Sequence, residues 1–438
     1  MMKNYILLIA FLALFLEPVT SNAQEGGIVD DKAIVEEEKN AQEEEKLTVE
    51  ISGHVWSESI FDSRQTVSTR DGDVLLFPAN EDLDANGEDI NSKSNFNMIN
   101  VHSRARIKMT APSFLNAKVT GLIEGDFVGS TQAHISMFRL RHAMVKLNWE
   151  KSELLAGQYW HPMFTLDVYP LVVGWGGAIP YFPLSRAAQL RYSYSPSANS
   201  QFSIAASTQL QFLSTGPQGP SADYIRNASF PELNATYVWG LESKFLIGAN
   251  VGYKTLKPQL SYTVDATNTE DAKTYKSEES IGSYHLNIFS KINMGKAAIR
   301  LGTIYGQNMY EFVMLGGYGV SGTNSQGEDT YTNITTGIYW LDVDSGFITE
   351  KITLGLYAGF TKNYGSDDPI TGPVYARGGI DHSYRISPRI VYGAGATRFR
   401  CEVSYDTAAY GTPDANYEVQ NTNDVSNLRI VLATTFTF

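Results

Sequence analysis

Basic side chains recur at every second position in several segments of the sequence. Alternate residues of a β-strand share one face, so such a segment presents its cations together. A row of cations along one wall lowers the electrostatic barrier for anions and carboxylates that pass it. The pattern therefore predicts a solute-facing basic wall. Its expected members are Arg104, Arg106, Lys108, Arg139, Arg141 and Arg191.

Three acidic residues are the expected partners of this wall. Glu124 and Asp126 lie on the segment between the first two basic segments, and Asp167 lies in a long connection further on. Two interpretations remain open: a free positive wall that favours anions, or arginines that are ion-paired with these acids. The two are compatible, because a pore constriction commonly sets a basic wall against an acidic loop.

Enzymatic motifs are missing from the sequence. The seven histidines include no HExxH motif or close pair, and there is no GxSxG motif. We interpret His102, His142 and His161 as polar groups of a lumen or an interface. The sequence therefore favours a protein that is not an enzyme. An outer-membrane lipid hydrolase with catalytic residues scattered over strands remains an alternative.

One acidic segment resembles the start of a calcium-binding loop. Asp82, Asp84 and Asn86 alternate ahead of the turn-forming Gly87. Lys93 occupies the position where such a loop carries a bidentate Glu. Calcium binding at an outer loop and a generic acidic loop both remain open, and no other cofactor is expected.

The elements that must position these residues are strands. From Leu47 onwards the apolar and polar residues alternate with period two, in about sixteen segments. Connections alternate between short ones, such as Ser387-Pro388, and long ones, such as 63–95. The sequence predicts an all-β fold, a transmembrane antiparallel up-and-down β-barrel with short periplasmic turns and long extracellular loops. Strands of ~9 to 11 residues suffice to cross the membrane.

The face of each side chain follows from this alternation. In the second strand Ile99, Val101 and Ile107 are expected to face lipid, and His102 to face the lumen. Aromatic residues near strand ends, such as Trp239 and Trp340, are expected at the membrane interfaces.

The two chain termini carry targeting features. Residues 1–23 have the layout of a signal peptide, and residues 24–46, with nine acids and three lysines, read as an acidic periplasmic arm. The barrel is expected to span residues 47–438. At its end Phe436 and Phe438 form an alternating apolar pattern that resembles the insertion signal read by the barrel-assembly machinery.

The connection 160–187 is unusually apolar. Full exposure of such a segment to water would be unfavourable. We expect it to fold into the lumen, or against a partner subunit, and to act as a constriction loop.

Four stretches resemble the bacterial trimeric outer-membrane porins of the DcaP-like group. They are GHVWSESIFD at 53–62, FRLRHAMVKL at 138–147, LLAGQYWHP at 154–162 and the terminal FTF. Other stretches are similar to outer-membrane proteins of Bacteroidota. The resemblance implies a homotrimer of water-filled barrels and diffusion of small, anionic solutes. The acidic arm does not match the long coiled-coil extension of that family.

Together these features predict a porin, a passive diffusion channel for small hydrophilic solutes in the outer membrane of a Gram-negative bacterium. It would favour anions or carboxylates. Its expected partners are membrane lipid, lipopolysaccharide, the barrel-assembly machinery and two further copies of itself, with no nucleic acid. The alternative is a surface adhesin or ligand-binding barrel whose loops close the pore.

Overall fold

The computed structural model describes residues 46–264 and 272–438, so the predicted signal peptide and nearly all of the acidic arm lie outside the described residues.

Sixteen antiparallel strands form a closed barrel, which confirms the predicted fold class. The second strand consists of two segments. The strands are β1 Thr48–Asp62, β2 Asn95–Ile99 and Arg104–Phe114, β3 Ala117–Asp126, β4 Arg139–Asn148, β5 Ser152–Trp160, β6 Arg186–Ser197, β7 Ser200–Thr208, β8 Glu232–Trp239, β9 Phe245–Leu256, β10 Ile281–Met294, β11 Ala297–Gln307, β12 Asp329–Phe347, β13 Ile352–Ser366, β14 Ile380–Ala394, β15 Thr397–Pro413 and β16 Val419–Thr437.

Pairing between the first and last strands closes the barrel. His54 lies opposite Thr437 and Asp62 lies opposite Arg429, in an antiparallel register. A closed ring leaves no strand edge unpaired, which is what a lipid environment requires. The longer connections follow the odd-numbered strands and the short turns follow the even-numbered ones, as predicted, except after β15. There the long connection expected at 408–424 is wrong, because β15 and β16 extend to Pro413 and Val419 and only five residues join them. We call the two ends of the barrel the loop side and the turn side.

Several short elements lie in the long connections. In the first of these, Thr66–Thr69 pairs with Val74–Pro78, and we call this unit the hairpin. Other short strands are Ser261–Val264, Lys273–Lys276, Gly316–Thr323 and Val374–Arg377. The short helices are Asp223–Asn227 and the 3₁₀ turns Ile90–Ser92, Gln132–His134, Leu166–Val168 and Tyr310–Phe312. Among the helices of the described residues, none has the length and apolarity to span a membrane.

Strand β2 departs from the predicted alternation. Phe96 is 64% exposed whereas Ile99 is 7% and Val101 is 8% exposed. The predicted lipid-facing position of Ile99 and Val101 is therefore wrong. The irregular residues 100–103 interrupt the strand, and such an interruption changes which residues face outward. Beyond it Ile107 is outward and exposed, as expected, and His102 is fully buried.

The boundary between β14 and β15 also differs from the prediction. Ser387 and Pro388 lie inside β14, where Pro388 is opposite Leu356 of β13. A strand tolerates Pro where its nitrogen is not needed for a ladder hydrogen bond. The turn is instead at Gly395, whose φ of +57° suits a residue without a side chain.

Strand β16 shows the expected two faces. Leu428, Leu432 and Phe436 are exposed on the outside, whereas Arg429 and Val431 are buried on the inside. The outer face of the barrel is thus apolar where lipid would contact it.

Candidate functional site

Residues 161–185, which connect β5 to β6, lie inside the barrel, and we call them the lumen segment. The backbone N–H of Val173 donates to Glu402 of β15 at 2.6 Å, and the Tyr181 hydroxyl lies 2.7 Å from the Ser383 hydroxyl of β14. These strands are far from β5 and β6 in the barrel order, so the segment crosses the lumen. This position agrees with the expectation that the connection folds inward.

Apolar packing holds the lumen segment against the far wall. Trp340 is among the wall residues that it covers, so the prediction of an interfacial Trp340 is wrong, whereas Trp239 is exposed outside as predicted. The low polarity of the segment is explained by this burial. The cluster contains Met163, Phe164, Val168, Ala178, Tyr181 and Phe182 of the segment and Val238, Leu246, Phe289, Ile304, Ile338, Trp340 and Tyr357 of β8 to β13.

The hairpin is a second insertion into the barrel. Val74, Leu76 and Phe77 are buried against Ile179 of the lumen segment and Ala408 of β15. The hairpin therefore covers the lumen segment from the loop side.

Two of the pockets formed by the described residues lie beside these insertions. The turn-side pocket has a volume of about 340 Å³, and its lining includes Lys146, Trp160, Asp167 and Arg191. The loop-side pocket has a volume of about 480 Å³, and its lining includes Arg70, Arg139, Trp175, Phe212 and Arg377. Both pockets include residues of the β4 to β6 wall, opposite the packed face of the lumen segment.

Two guanidinium groups lie between the pockets. Arg141 is 5.5 Å from the ring centre of Trp160, which lines the turn-side pocket, and 6.0 Å from that of Trp175, which lines the loop-side pocket. Arg186 is 5.4 Å from Trp160 and 5.0 Å from Phe212 of the loop-side pocket. Both side chains are almost fully buried, and neither is among the residues that line the two pockets.

Carboxylates on β3 bind part of the basic wall. Arg141 contacts both Glu124 and Asp126 at 2.8 Å, and Arg139 contacts Asp126 at 2.7 Å. Arg106 donates to Glu124 at 2.7 Å, and Arg104 lies 3.6 Å from it. The structure thus contains the ion pairs that were one of the two open interpretations. Four guanidiniums share two carboxylates, so the cluster retains an excess of positive charge.

Arg186 and Arg191 have no carboxylate within ion-pair distance among the described residues. Arg186 is 1% exposed and donates to the Gln211 side chain at 3.1 and 3.3 Å. Its Nη1 has no hydrogen-bond partner in the described part of the chain. Arg191 donates to the Trp160 backbone oxygen at 2.6 Å and to Gln189. Burying a charge without a counterion is costly, so these groups are suited to an incoming anion.

The remaining predicted wall residues lie towards the turn side. Lys108 is largely exposed, 3.3 Å from Glu50 of β1. Asp167 is exposed and lines the turn-side pocket together with Arg191. The arginines pair with Glu124 and Asp126, and the structure shows no pair between them and Asp167 within the described residues.

Sequence reasoning missed Arg186. It lies at the first position of β6, two residues before the predicted start of that strand. The sequence did single it out, since it is the only lysine or arginine in the apolar segment 160–187. Alternation alone could not assign it to the lumen.

The predicted calcium loop closes on itself. The carboxylate of Asp84 accepts hydrogen bonds from the backbone N–H groups of Asn86 at 2.8 Å and Glu88 at 2.9 Å. These bonds hold the pKa of Asp84 below its usual value. Asp82 contributes its own backbone N–H to Asp89 at 3.1 Å. The Asp84 oxygens are used within the turn, and the structure does not support the calcium prediction for Asp82, Asp84 and Asn86.

Comparison with known proteins gives similarity of structure only. No protein-family model matches the sequence, and no curated protein matches it. The outer membrane channel DcaP of Acinetobacter baumannii is 16% identical with a TM-score of 0.64, covering 91% of this chain and 99% of that chain. The anion-selective porin from Comamonas acidovorans is 11% identical with a TM-score of 0.56, covering 90% and 100%. The outer membrane protein OmpT of Vibrio cholerae, with loop L8 deleted, is 13% identical with a TM-score of 0.52, covering 90% and 100%. These similarities establish the porin-type barrel fold.

Proposed function

We propose that this chain is a porin, a passive diffusion channel for small hydrophilic solutes that favours anions and carboxylates. The observation that carries the proposal is the position of Arg141 and Arg186 between the two pockets. Two guanidiniums that contact the lining of both pockets place positive charge where a solute would have to pass.

The mechanism combines size selection with electrostatic bias. The lumen segment and the hairpin occupy much of the barrel, so only small solutes fit beside the β4 to β6 wall. A carboxylate that reaches the narrow region can accept hydrogen bonds from the planar guanidiniums. Conduction requires that each site binds weakly enough for release, and Glu124 and Asp126 reduce the excess charge there. The process uses no cofactor, catalytic group or energy input.

The setting that we propose is the outer membrane. The apolar outer face of the barrel, together with neighbours described as outer-membrane proteins, supports contact with lipid and lipopolysaccharide. Residues 1–23 would direct export, and Phe436 and Phe438 would be read by the barrel-assembly machinery. A trimer form of Vibrio cholerae OmpT, with a TM-score of 0.52, supports a homotrimer.

Conductance across a planar bilayer tests this proposal. The purified protein is expected to open discrete, long-lived channels whose current does not depend on any energy source. Failure to observe an ion-permeable opening, with protein shown to be folded, would overturn the channel function. It would favour the second candidate, a ligand-binding barrel with a closed pore, which the two insertions in the lumen also fit.

A further inference from the structure

Three buried side chains with metal-ligand atoms meet near the loop side of the lumen. Glu58 is on β1, His102 is in the interruption of β2, and Asp73 is in the hairpin. The Nε2 of His102 lies 3.2 Å from a Glu58 oxygen and 3.0 Å from an Asp73 oxygen. One ligand atom of each residue lies within 4.8 Å of the others, and all three residues are at most 2% exposed.

These three side chains do not satisfy one another's hydrogen-bonding groups. Within the described residues, Oε1 of Glu58, both carboxylate oxygens of Asp73 and both nitrogens of His102 have no hydrogen bond of acceptable geometry. A single imidazole N–H cannot point at two carboxylates, and two carboxylates in a dry site repel each other. Even a protonated His102 would be the one cation facing two carboxylates, and it makes no well-aligned hydrogen bond to either of them within the described residues.

We propose that Glu58, Asp73 and His102 bind one divalent transition-metal ion of the zinc class. Bonds of about 2.0 to 2.2 Å to imidazole nitrogen and carboxylate oxygen place neighbouring ligand atoms roughly 3 to 3.5 Å apart. The two short distances between the histidine and the carboxylates agree with that spacing. A ligand set with imidazole suits zinc and its neighbours better than calcium or magnesium.

Surrounding groups hold the ligands in place. The indole N–H of Trp56 donates to the second oxygen of Glu58 at 2.8 Å. Trp175 of the lumen segment stacks on His102, with ring centres 4.8 Å apart. Arg429 donates to the backbone oxygen of Asp73 at 3.2 Å. Such outer contacts orient the ligands of protein metal sites.

The ion would fasten the hairpin to the barrel wall. Glu58 and His102 belong to the wall, whereas Asp73 is carried by the hairpin, and Trp175 also lines the loop-side pocket. The bound metal would therefore fix the shape of the loop-side entrance. The site is separate from the acidic loop at Asp82, and it does not depend on whether the barrel conducts.

Zinc binding to the whole, folded chain tests the proposal. The purified protein is treated with a chelator, dialysed, and titrated with ZnCl₂ in a calorimeter, with metal content measured by mass spectrometry. We expect one zinc ion per chain. His102→Gln and Asp73→Asn should each weaken binding at least about tenfold. His134→Gln, which changes an exposed histidine outside the cluster, should bind zinc as the wild type does.

Folding is checked by the heat-dependent migration of the barrel in gel electrophoresis. Asp73→Asn serves as the decisive variant if His102→Gln does not fold, because the hairpin is not part of the wall. Folded wild-type protein that binds no zinc would overturn the proposal. So would binding that is equally tight in the wild type and in every folded ligand variant. Conductance is recorded separately, so loss of the channel function and loss of the metal site are distinguishable.

Discussion

The basic wall, β2 to β6, and the packed wall, β10 to β15, differ in how many carboxylates pair with their arginines. On the packed wall Arg385 pairs with Asp406, while Arg300 and Arg389 pair with Asp342, and Arg389 also lies 3.6 Å from Asp344. Three guanidiniums there meet three carboxylates. On the basic wall four guanidiniums share two carboxylates, and Arg186 and Arg191 have none within ion-pair distance in the described residues.

The difference follows the position of the lumen segment. The segment covers the packed wall with apolar side chains, and charges buried beneath an apolar layer need counterions. Both pockets border the basic wall, and Arg191 and Arg139 line them, so water or a passing anion can stabilise these two cations. Charge is therefore balanced for Arg300, Arg385 and Arg389 beneath the segment and in excess on the wall that borders the two pockets.

Shortening the lumen segment should have the largest effect. Replacing residues 166–172 by a short Gly/Ser linker removes side chains from the lumen without changing the strand pairs that close the barrel. We expect single-channel conductance to rise severalfold. An unchanged conductance in folded protein would mean that this segment does not limit the passage.

Removing the two central arginines should have the next largest effect. Arg141→Gln combined with Arg186→Gln lowers the positive charge between the pockets, so the anion-to-cation permeability ratio should fall severalfold. Arg300→Gln on the packed wall is the matched control, because Arg389 still pairs with Asp342 in that variant. Equal ratios in the double variant and the control would contradict the distinction between the two walls.

Glu124→Gln should raise anion preference and lower stability together. Arg104, Arg106 and Arg141 all lose a buried acceptor, and removing one partner of a buried ion pair typically costs about 3 kcal/mol. Denaturant unfolding measures this loss. Glu153→Gln removes the partner of Lys146 near the turn side, a partly exposed pair, and should cost at most about 1 kcal/mol. Equal losses in the two variants would contradict the account.

Tyr181→Phe should have the smallest effect. It removes one hydrogen bond between the lumen segment and Ser383, whose hydroxyl still donates to the Thr407 backbone oxygen at 2.7 Å. We expect a loss of about 1 kcal/mol in unfolding free energy and an unchanged conductance. A large increase in conductance would show that this one bond holds the segment in place.

Most of the fold could be predicted from the sequence, because the alternation of side chains along a strand is a local property. Period two was sufficient to predict the closed barrel and the inward position of Arg104, Arg139 and Arg141. It failed where a tertiary contact overrides the local pattern. At residues 100–103 the chain leaves the ladder of strand hydrogen bonds, and the Ser103 hydroxyl accepts a hydrogen bond from the Trp56 backbone N–H. The periodicity of the sequence gives no sign of this contact.

The candidate site was less predictable than the fold. Glu124 and Asp126 could be proposed as partners because they lie on the strand between two basic strands. Arg186 acquires its role only in the folded barrel, where Trp160 at the end of β5 lies on one side of it and Phe212 in the connection after β7 lies on the other. The cluster of Glu58, Asp73 and His102 likewise depends on the hairpin, whose placement is not encoded in any short motif.

The reversal potential of the wild-type channel under a KCl gradient shows whether the basic wall sets the ion selectivity. We expect a potential whose sign shows that chloride is more permeant than potassium, because the passage follows the wall with excess guanidinium charge. A reversal potential of the opposite sign, showing preference for potassium, would contradict it.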